Sequence, residues 1–592
     1  MQKMLQTTLD HYFRVEEEEG VNKVLPLEEA VRQCVHPGMS LHFSFTHNRA
    51  HAAAFEIARQ FWGRNPEFTL IATGILEYGI LLIYGGLIKK AVAAFYGDSY
   101  PTSSPNPIIQ QALADGRLSL ESWTNLTIPL RLMAGAYNLP SITTNSIRGS
   151  TMEIENQHAY RLIDDPLSPG GKVGLMSSLQ PDLTIIHGGY ADAYGNTVLI
   201  PPYGENMWGV FASRTGVMVT VEEIVPTSTI RNFSHLVKIP GHLVKSVSVV
   251  PFGAHPQGMS NHGEPGMVAY GEDQPFRMHF RQATRDLKQF DSWVKHWVLG
   301  CTSHEDYLKK LGYERLMGLK GKAGEDSWTY DIQEKASEIS ITTPVTPAEL
   351  MVSAASGIIQ KKVLENGYKN ILGGIGISCL SASLAYYLLK KKSHHVDLLV
   401  ETGLYGYAPR PGDPFIFNFS NMATNKIQSN FVEILNLFAG GNGNQCLGVL
   451  AAGQVDQHGN LNSTRLENGR YLVGAGGSND VVNGAAETIV VLRQSKKRFV
   501  KKVPYVTCCG QRVSTVISDM GVFEKVPGQD ELILSACLPR QHGVSRDEAV
   551  ELIKNHCGWE LKIAPDLKDI PMPGPEEIPM MRLLDPKGYF IS

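Results

Sequence analysis

Glu401 closes the apolar run 396–401 (VDLLVE) and is followed directly by Thr402-Gly403. An acid at the carboxyl end of a strand, ahead of a glycine-containing turn, stands where open α/β sheets bind their ligands. A carboxylate in that place can serve as nucleophile or general base; position alone fits a solvated strand end equally well. Two glycine-rich turns accompany it. Gly373-Gly374-Ile375-Gly376 follows one apolar run, and 474–480 (GAGGSND) follows another, bringing Gly474, Gly476 and Gly477 together. Glycines let the main chain approach a ligand closely and turn N–H groups toward an oxyanion or phosphate, and they also make ordinary tight turns. Neither segment is a GxGxxG fingerprint, and no GK[ST] completes a phosphate loop.

Other chemistries lack their patterns. The 19 histidines form no HExxH pair, and the eight cysteines form no CxxC pair, Cys508 and Cys509 being adjacent. A structural metal is therefore not expected. No GxSxG elbow marks a serine nucleophile. His394-His395 flank a charged turn and read as solvated. The basic run 496–501 (KKRFVK) reads as a solvated face that can also neutralise a ligand phosphate.

Strand–helix–strand units must position these residues. One reads as 370–377, a helix over 379–391, and 396–401. The other reads as 40–46, a helix over 49–62, and 68–73. Both second strands lead into Thr-Gly, at Thr73-Gly74 and Thr402-Gly403, and where one unit carries Glu401 the other carries Ala72. A second echo pairs 182–196 (DLTIIHGGYADAYGN) with 446–460 (CLGVLAAGQVDQHGN), matching Asp192 to Asp456, Gly195 to Gly459 and Asn196 to Asn460. The expectation is α/β: two related, open, mainly parallel α/β domains with helices on both faces. The polar stretch 318–345 has little hydrophobic period and reads as a linker between 1–317 and 346–592. Beyond it, Thr346-Pro347-Ala348-Glu349 is a capping box, which predicts a helix to Asn366 with Gly367 closing it.

Composition agrees with this plan. The chain has 592 residues, 43% hydrophobic and 19% charged, which excludes a disordered chain or a disulfide miniprotein. A net charge of −4 gives no reason to expect nucleic acid or an anionic membrane as partner. The first twenty residues lack an apolar core and carry the acidic run 16–19, and the apolar stretch 79–88 stops at Lys89-Lys90, too short to cross a bilayer. The expected setting is cytoplasmic, with reduced thiols.

At Glu401 the reading meets a known family. The segments 400–413 (VETGLYGYAPRPGD), 440–462 (GGNGNQCLGVLAAGQVDQHGNLN), 474–480 and 496–510 (KKRFVKKVPYVTCCG) resemble the β subunits of family I CoA transferases of the glutaconate CoA-transferase type. In the first half, 187–196 (HGGYADAYGN) and 290–316 resemble the α subunit. The chain looks like an α- and a β-like half fused in one polypeptide. It departs from the family pattern at Thr144-Asn145-Ser146, Thr151, Asn444 and Val400, which leaves the acyl group open.

The resemblance implies CoA transfer between an acyl-CoA thioester and a carboxylic acid, with Glu401 as nucleophile and a covalent glutamyl-CoA thioester. It implies no tightly bound cofactor, coenzyme A thioester being the substrate, and a homodimer or larger homo-oligomer. Gly374, Gly376, Gly474, Gly476 and Gly477 become candidates for CoA and oxyanion contacts. Arg148 and Arg410 become candidates to pair with a second carboxylate on the acyl chain, because Arg favours bidentate recognition. Some relatives instead open cyclic CoA thioesters hydrolytically or decarboxylate a CoA thioester, and Asp98 falls where the ring-opening relatives carry an acid. A non-catalytic acyl-CoA-binding module is the third reading.

Overall fold

The computed structural model describes residues 1–592 except 17–19, 46, 262, 263, 265, 338, 527 and 540–543. Most of the acidic run 16–19 and the end of the expected strand 40–46 fall on residues outside this description.

The first half is built on strands β1 (Ser40–Phe43), β2 (Phe68–Ile71), β3 (Leu183–Ala191), β4 (Val217–Ile224) and β5 (Val244–Val249). They run parallel in the spatial order β2-β1-β3-β4-β5. The second half is built on β6 (Asn370–Gly373), β7 (Asp397–Val400), β8 (Cys446–Leu450), β9 (Glu487–Val491) and β10 (Val513–Ile517). These too run parallel, in the order β7-β6-β8-β9-β10. The order repeats strand for strand, so the two echoes in the sequence are one duplicated five-strand core. Parallel strands are covered on both faces and need continuous apolar sequence; all nine residues of β3 and all five of β8 are buried.

The halves diverge past β2 and β7. In the first sheet β2 is flanked by two further parallel strands, Ile88–Ala93 and Ser119–Ser122. In the second, the chain folds back from β7 into the antiparallel strand Leu404–Tyr407. That reversal makes the turn after β7 tight, and Glu401 lies in it.

The Asp-x-x-Gly-Asn echoes form the same turn at atomic level. Asp192 Oδ1 accepts the N–H groups of Tyr194 and Asn196, and Asn196 Nδ2 donates to Asp192 Oδ2 at 2.8 Å. Asp456 Oδ1 accepts those of His458 and Asn460, and Asn460 Nδ2 donates to Asp456 Oδ2 at 3.1 Å. Asn196 and Asn460 then each accept one glycine N–H, from Gly241 at 2.9 Å and Gly510 at 2.8 Å.

The helix α1 spans Pro347–Asn366, with the Thr346–Glu349 capping box complete and Gly367 left-handed at φ 71°. A cap of this kind contributes about 1 kcal/mol. The stretch 318–345, read as a linker, holds secondary structure of its own. Helices Tyr313–Lys322 and Ser327–Ala336 occupy much of it. Leu319 is buried, and the Arg410 guanidinium lies 4.9 Å from the Trp328 ring. Tertiary contacts of this kind override a weak local pattern. Among the described residues no helix is long and apolar enough to cross a membrane.

The seam between the halves is hydrogen-bonded along its length. Tyr100 donates to Asp413, Tyr505 and Arg465 donate to Glu155, and Tyr203 N donates to Ser429 O. Cutting the chain in the exposed turn Gly324–Asp326 should therefore leave two fragments that stay together. Coexpressed 1–324 and 325–592 are expected to co-elute in size-exclusion chromatography at the mass of the intact chain; separate elution would contradict this account of the seam.

Candidate active site

The carboxyl ends of β6, β7 and β8 converge on a cavity of about 380 Å³ between the halves. Glu401 follows β7 immediately and lines it, as do Gly374 after β6 and Ala451 after β8. Opposite, the first half contributes Phe45, Phe95 and Asn125. Helix α2, Ile377–Lys391, begins at the cavity wall just past Gly376. Its unpaired N-terminal N–H groups and dipole favour negative charge there.

Glu401 is held from both halves. Asn125 Nδ2 of the first half donates to its Oε1 at 3.0 Å. Gly477 of the second half leaves room for its other oxygen: a Cβ at 477 would lie 1.9 Å from Glu401 Oε2. Only glycine leaves room for the carboxylate in this pose. Burial pushes the Glu401 carboxyl from 4.5 up to about 7, the neighbouring Asp480 charge adds to the rise, and the Asn125 amide opposes it.

Asp480 fixes the loop that carries Gly477. It heads the short helix Ser478–Gly484 and is 2% exposed. Thr124 Oγ1 donates to its Oδ1 at 2.7 Å, and Leu126 N donates to its Oδ2 at 3.1 Å. Between those two, Asn125 N donates to Gly476 O at 2.9 Å. Burial pushes the Asp480 carboxyl up as well, against the lowering effect of these donors.

The five glycines expected at the site divide by what their N–H groups do. Those of Gly374, Gly474 and Gly476 donate to Val449 O, Ser463 O and Ala94 O at 2.8, 2.9 and 3.0 Å. They are committed to the scaffold and cannot serve as oxyanion donors without breaking those bonds, which corrects that expectation. Among the described residues the N–H groups of Gly376 and Gly477 have no protein partner, and both glycines line the cavity.

The three charged candidates lie elsewhere. Asp98 is buried, accepts from Asn106 Nδ2 at 2.8 Å and Ser104 Oγ at 3.1 Å, and pairs with Arg285 and Arg281. It lines a separate small cavity and not the one that Glu401 lines. Arg148 is exposed, its guanidinium reaching Lys172 O at 3.4 Å. Arg410 stacks on Trp328, and neither arginine lines the cavity. The contacts shown for these three residues are with their own surroundings and not with Glu401. Sequence reasoning also missed Asn125 and Thr124. Asp480, by contrast, was present as the last residue of 474–480.

The coenzyme A transferase family model matches residues 24–249 and 358–550, taking in both five-strand cores. The chain belongs to the coenzyme A transferase family. It is 28% identical over 318 residues to the A-type subunit of glutaconate CoA-transferase from Acidaminococcus fermentans, a match covering 51% of this chain and 95% of that one. It is 28% identical over 258 residues to the B-type subunit of 3-oxoadipate CoA-transferase from Pseudomonas knackmussii, covering 40% and 92%. The acyl-CoA transferase apoenzyme of Escherichia coli O157:H7 shares the fold at a TM-score of 0.63 and 16% identity, over 96% of this chain and 98% of that one. A-type and B-type halves are thus fused here in one enzyme of the CoA transferase family.

The raised Glu401 carboxyl gives the fold a pH signature. The folded protein keeps a proton that the unfolded chain releases near 4.5, so this stabilisation is complete below that value and is lost as pH rises through about 7. Glu401→Gln removes the loss. Its melting temperature relative to the parent should rise between about pH 5 and about pH 8.5. A difference that stays flat with pH would contradict the burial of this carboxyl.

Proposed function

We propose that this protein is a CoA transferase that moves CoA from an acyl-CoA thioester to a carboxylic acid, with Glu401 as nucleophile. The observation that carries the reading is the setting of Glu401: a carboxylate at a strand end, held by Asn125 and Gly477, at the wall of the cavity that both halves form.

The arrangement supports the following steps. The ionised Glu401 carboxylate attacks the thioester carbonyl, and the C–S bond breaks to give an acyl-glutamyl anhydride and CoA thiolate. The thiolate attacks the glutamyl carbonyl, releasing the donor carboxylate and leaving a Glu401–CoA thioester. The acceptor carboxylate then runs the same steps in reverse. The free N–H groups of Gly376 and Gly477 are the donors we assign to the oxyanions, since Gly374, Gly474 and Gly476 are already bonded. Asn125 holds the carboxylate in the attacking pose. The exposed Arg498 lines the cavity at its rim and suits a phosphate of the CoA nucleotide. Asp98, the acid that the ring-opening alternative would add to Glu401, is paired with Arg281 and Arg285.

Glu401→Ala should fold and lose transfer by at least the roughly 10²–10⁴-fold expected for one catalytic group. Incubation with a turned-over acyl-CoA followed by borohydride should reduce the thioester and change the mass of the peptide carrying Glu401, borohydride alone leaving it unchanged. Turnover without an adduct would overturn covalent transfer.

Two further outcomes test the geometry. Gly477→Ala should reduce kcat/KM by on the order of 10²-fold or more, since its Cβ takes the place of the Glu401 oxygen. Because the attacking group must be ionised, log kcat/KM of the parent should rise with pH and level off above about 7. A rise centred on the ordinary carboxylate range instead would contradict the buried setting of Glu401.

A further inference from the structure

The cavity that Glu401 lines has an aromatic wall drawn from both halves. Phe45, Phe95 and Phe417 are 5%, 8% and 6% exposed and all line the cavity. Phe45 and Phe417 meet edge to face with centroids 6.2 Å apart. Thr402, next to Glu401, lines a second cavity together with the same pair. Among the described residues the one cation lining the cavity is Arg498, which is exposed at the rim.

Cations do exist behind the aromatic wall, and each pairs with a carboxylate. A second, smaller cavity backs onto Phe45 and Phe417 and includes Arg49, Arg277 and Glu272. Arg49 pairs with Glu77 at 3.3 Å, and Arg277 pairs with Glu77 at 2.9 Å and with Glu272 at 3.7 Å. Arg277 Nη2 also donates to Ser99 Oγ at 3.3 Å, and the Arg49 guanidinium lies 4.6 Å from the centroid of the Phe45 ring. Two guanidiniums thus face two carboxylates. The remaining titratable group of that cavity, His47, hydrogen-bonds to Phe417 O at 2.8 Å, and burial pushes it down to about 4, so it is neutral at pH 7. Burial pushes the Glu272 carboxyl up to about 7, so the set behind the wall is not fully balanced, but Phe45 and Phe417 stand between it and the cavity that Glu401 lines.

On the reading of this cavity as the acyl-CoA site, we infer that the acyl groups it accepts are short, uncharged and apolar, seated against Phe45, Phe95 and Phe417, and that acyl chains ending in a second carboxylate are rejected. The physical basis is desolvation. A terminal carboxylate placed against three rings loses water and gains no unpaired cation, whereas a methyl terminus gains apolar contact. The sites expected to hold a second carboxylate, Arg148 and Arg410, lie outside the cavity.

Thioether analogues test this without turnover, because they lack the carbonyl that Glu401 would attack. Dissociation constants of S-butyl-CoA and S-(3-carboxypropyl)-CoA are measured by calorimetry on the parent and on Glu401→Gln, which removes the repulsion between Glu401 and the added carboxylate. The uncharged analogue is expected to bind at least about tenfold more tightly in both proteins, a difference of about 1.4 kcal/mol. Phe417→Ala should weaken S-butyl-CoA several-fold and S-methyl-CoA less than about twofold, the lost contact being confined to the chain; Phe417→Leu serves the same purpose with less disturbance. Equal or tighter binding of the carboxylated analogue to Glu401→Gln overturns the inference. So does S-butyl-CoA binding no more tightly than S-methyl-CoA. Binding as expected by a protein that transfers CoA between no donor and acceptor would leave the inference standing and overturn the proposed reaction instead.

Discussion

Three consecutive residues of the first half, Thr124, Asn125 and Leu126, make four hydrogen bonds to the second, and the site depends on them. Thr124 and Leu126 hold the two oxygens of Asp480, and Asn125 holds Gly476 through its main chain and Glu401 through its side chain. A buried carboxylate needs its donors, since an unsatisfied one is costly. Asp480 finds two of them in the other half of the chain, so docking of the halves stabilises the loop 474–480. That loop in turn brings Gly477 against Glu401. The carboxylate, its orienting amide and the glycine beside it are therefore one assembly, with the interface as its scaffold.

The duplicated cores explain how such an arrangement is reached. Both halves place a turn at the end of the same strand, β2 or β7. In the first half that turn carries Ala72 and Thr73, and Thr73 donates through its N–H and hydroxyl to the buried Glu205. In the second it carries Glu401 and Thr402. One turn has become structural and the other presents an acid to the cavity. The sheet edges diverge at the same place: β2 continues into parallel strands, while β7 is followed by an antiparallel return.

Much of this was legible in the sequence, and the limits have physical causes. The Thr346–Glu349 capping box marks a helix start because its hydrogen bonds are local, and the observed helix Pro347–Asn366 has the expected bounds. The Asp192 and Asp456 turns were visible for the same reason. Glu401 could be placed at a strand end because β7 is short, apolar and bounded by glycine. Asn125 and Thr124 left no such mark, since their partners are more than 270 residues away. The surroundings of Asp98, Arg148 and Arg410 were not legible, because charge type does not reveal which partner a folded chain supplies. The stretch 318–345 read as a linker because its helices are stabilised by tertiary packing rather than by a strong periodic pattern.

The helices Tyr313–Lys322 and Ser327–Ala336 also tie together two halves that each hold part of the site. Between separate chains, the bond from Asn125 to Glu401 would form only as often as the chains meet, and dilution would dissolve it. Tethered in one polypeptide, each half sees the other at an effective concentration on the order of millimolar, set by the connection and not by how much protein is present. The equilibrium for completing the cavity is then intramolecular. Equal supply of the two halves is guaranteed by translation of a single message, with no unpaired half left exposing the apolar seam.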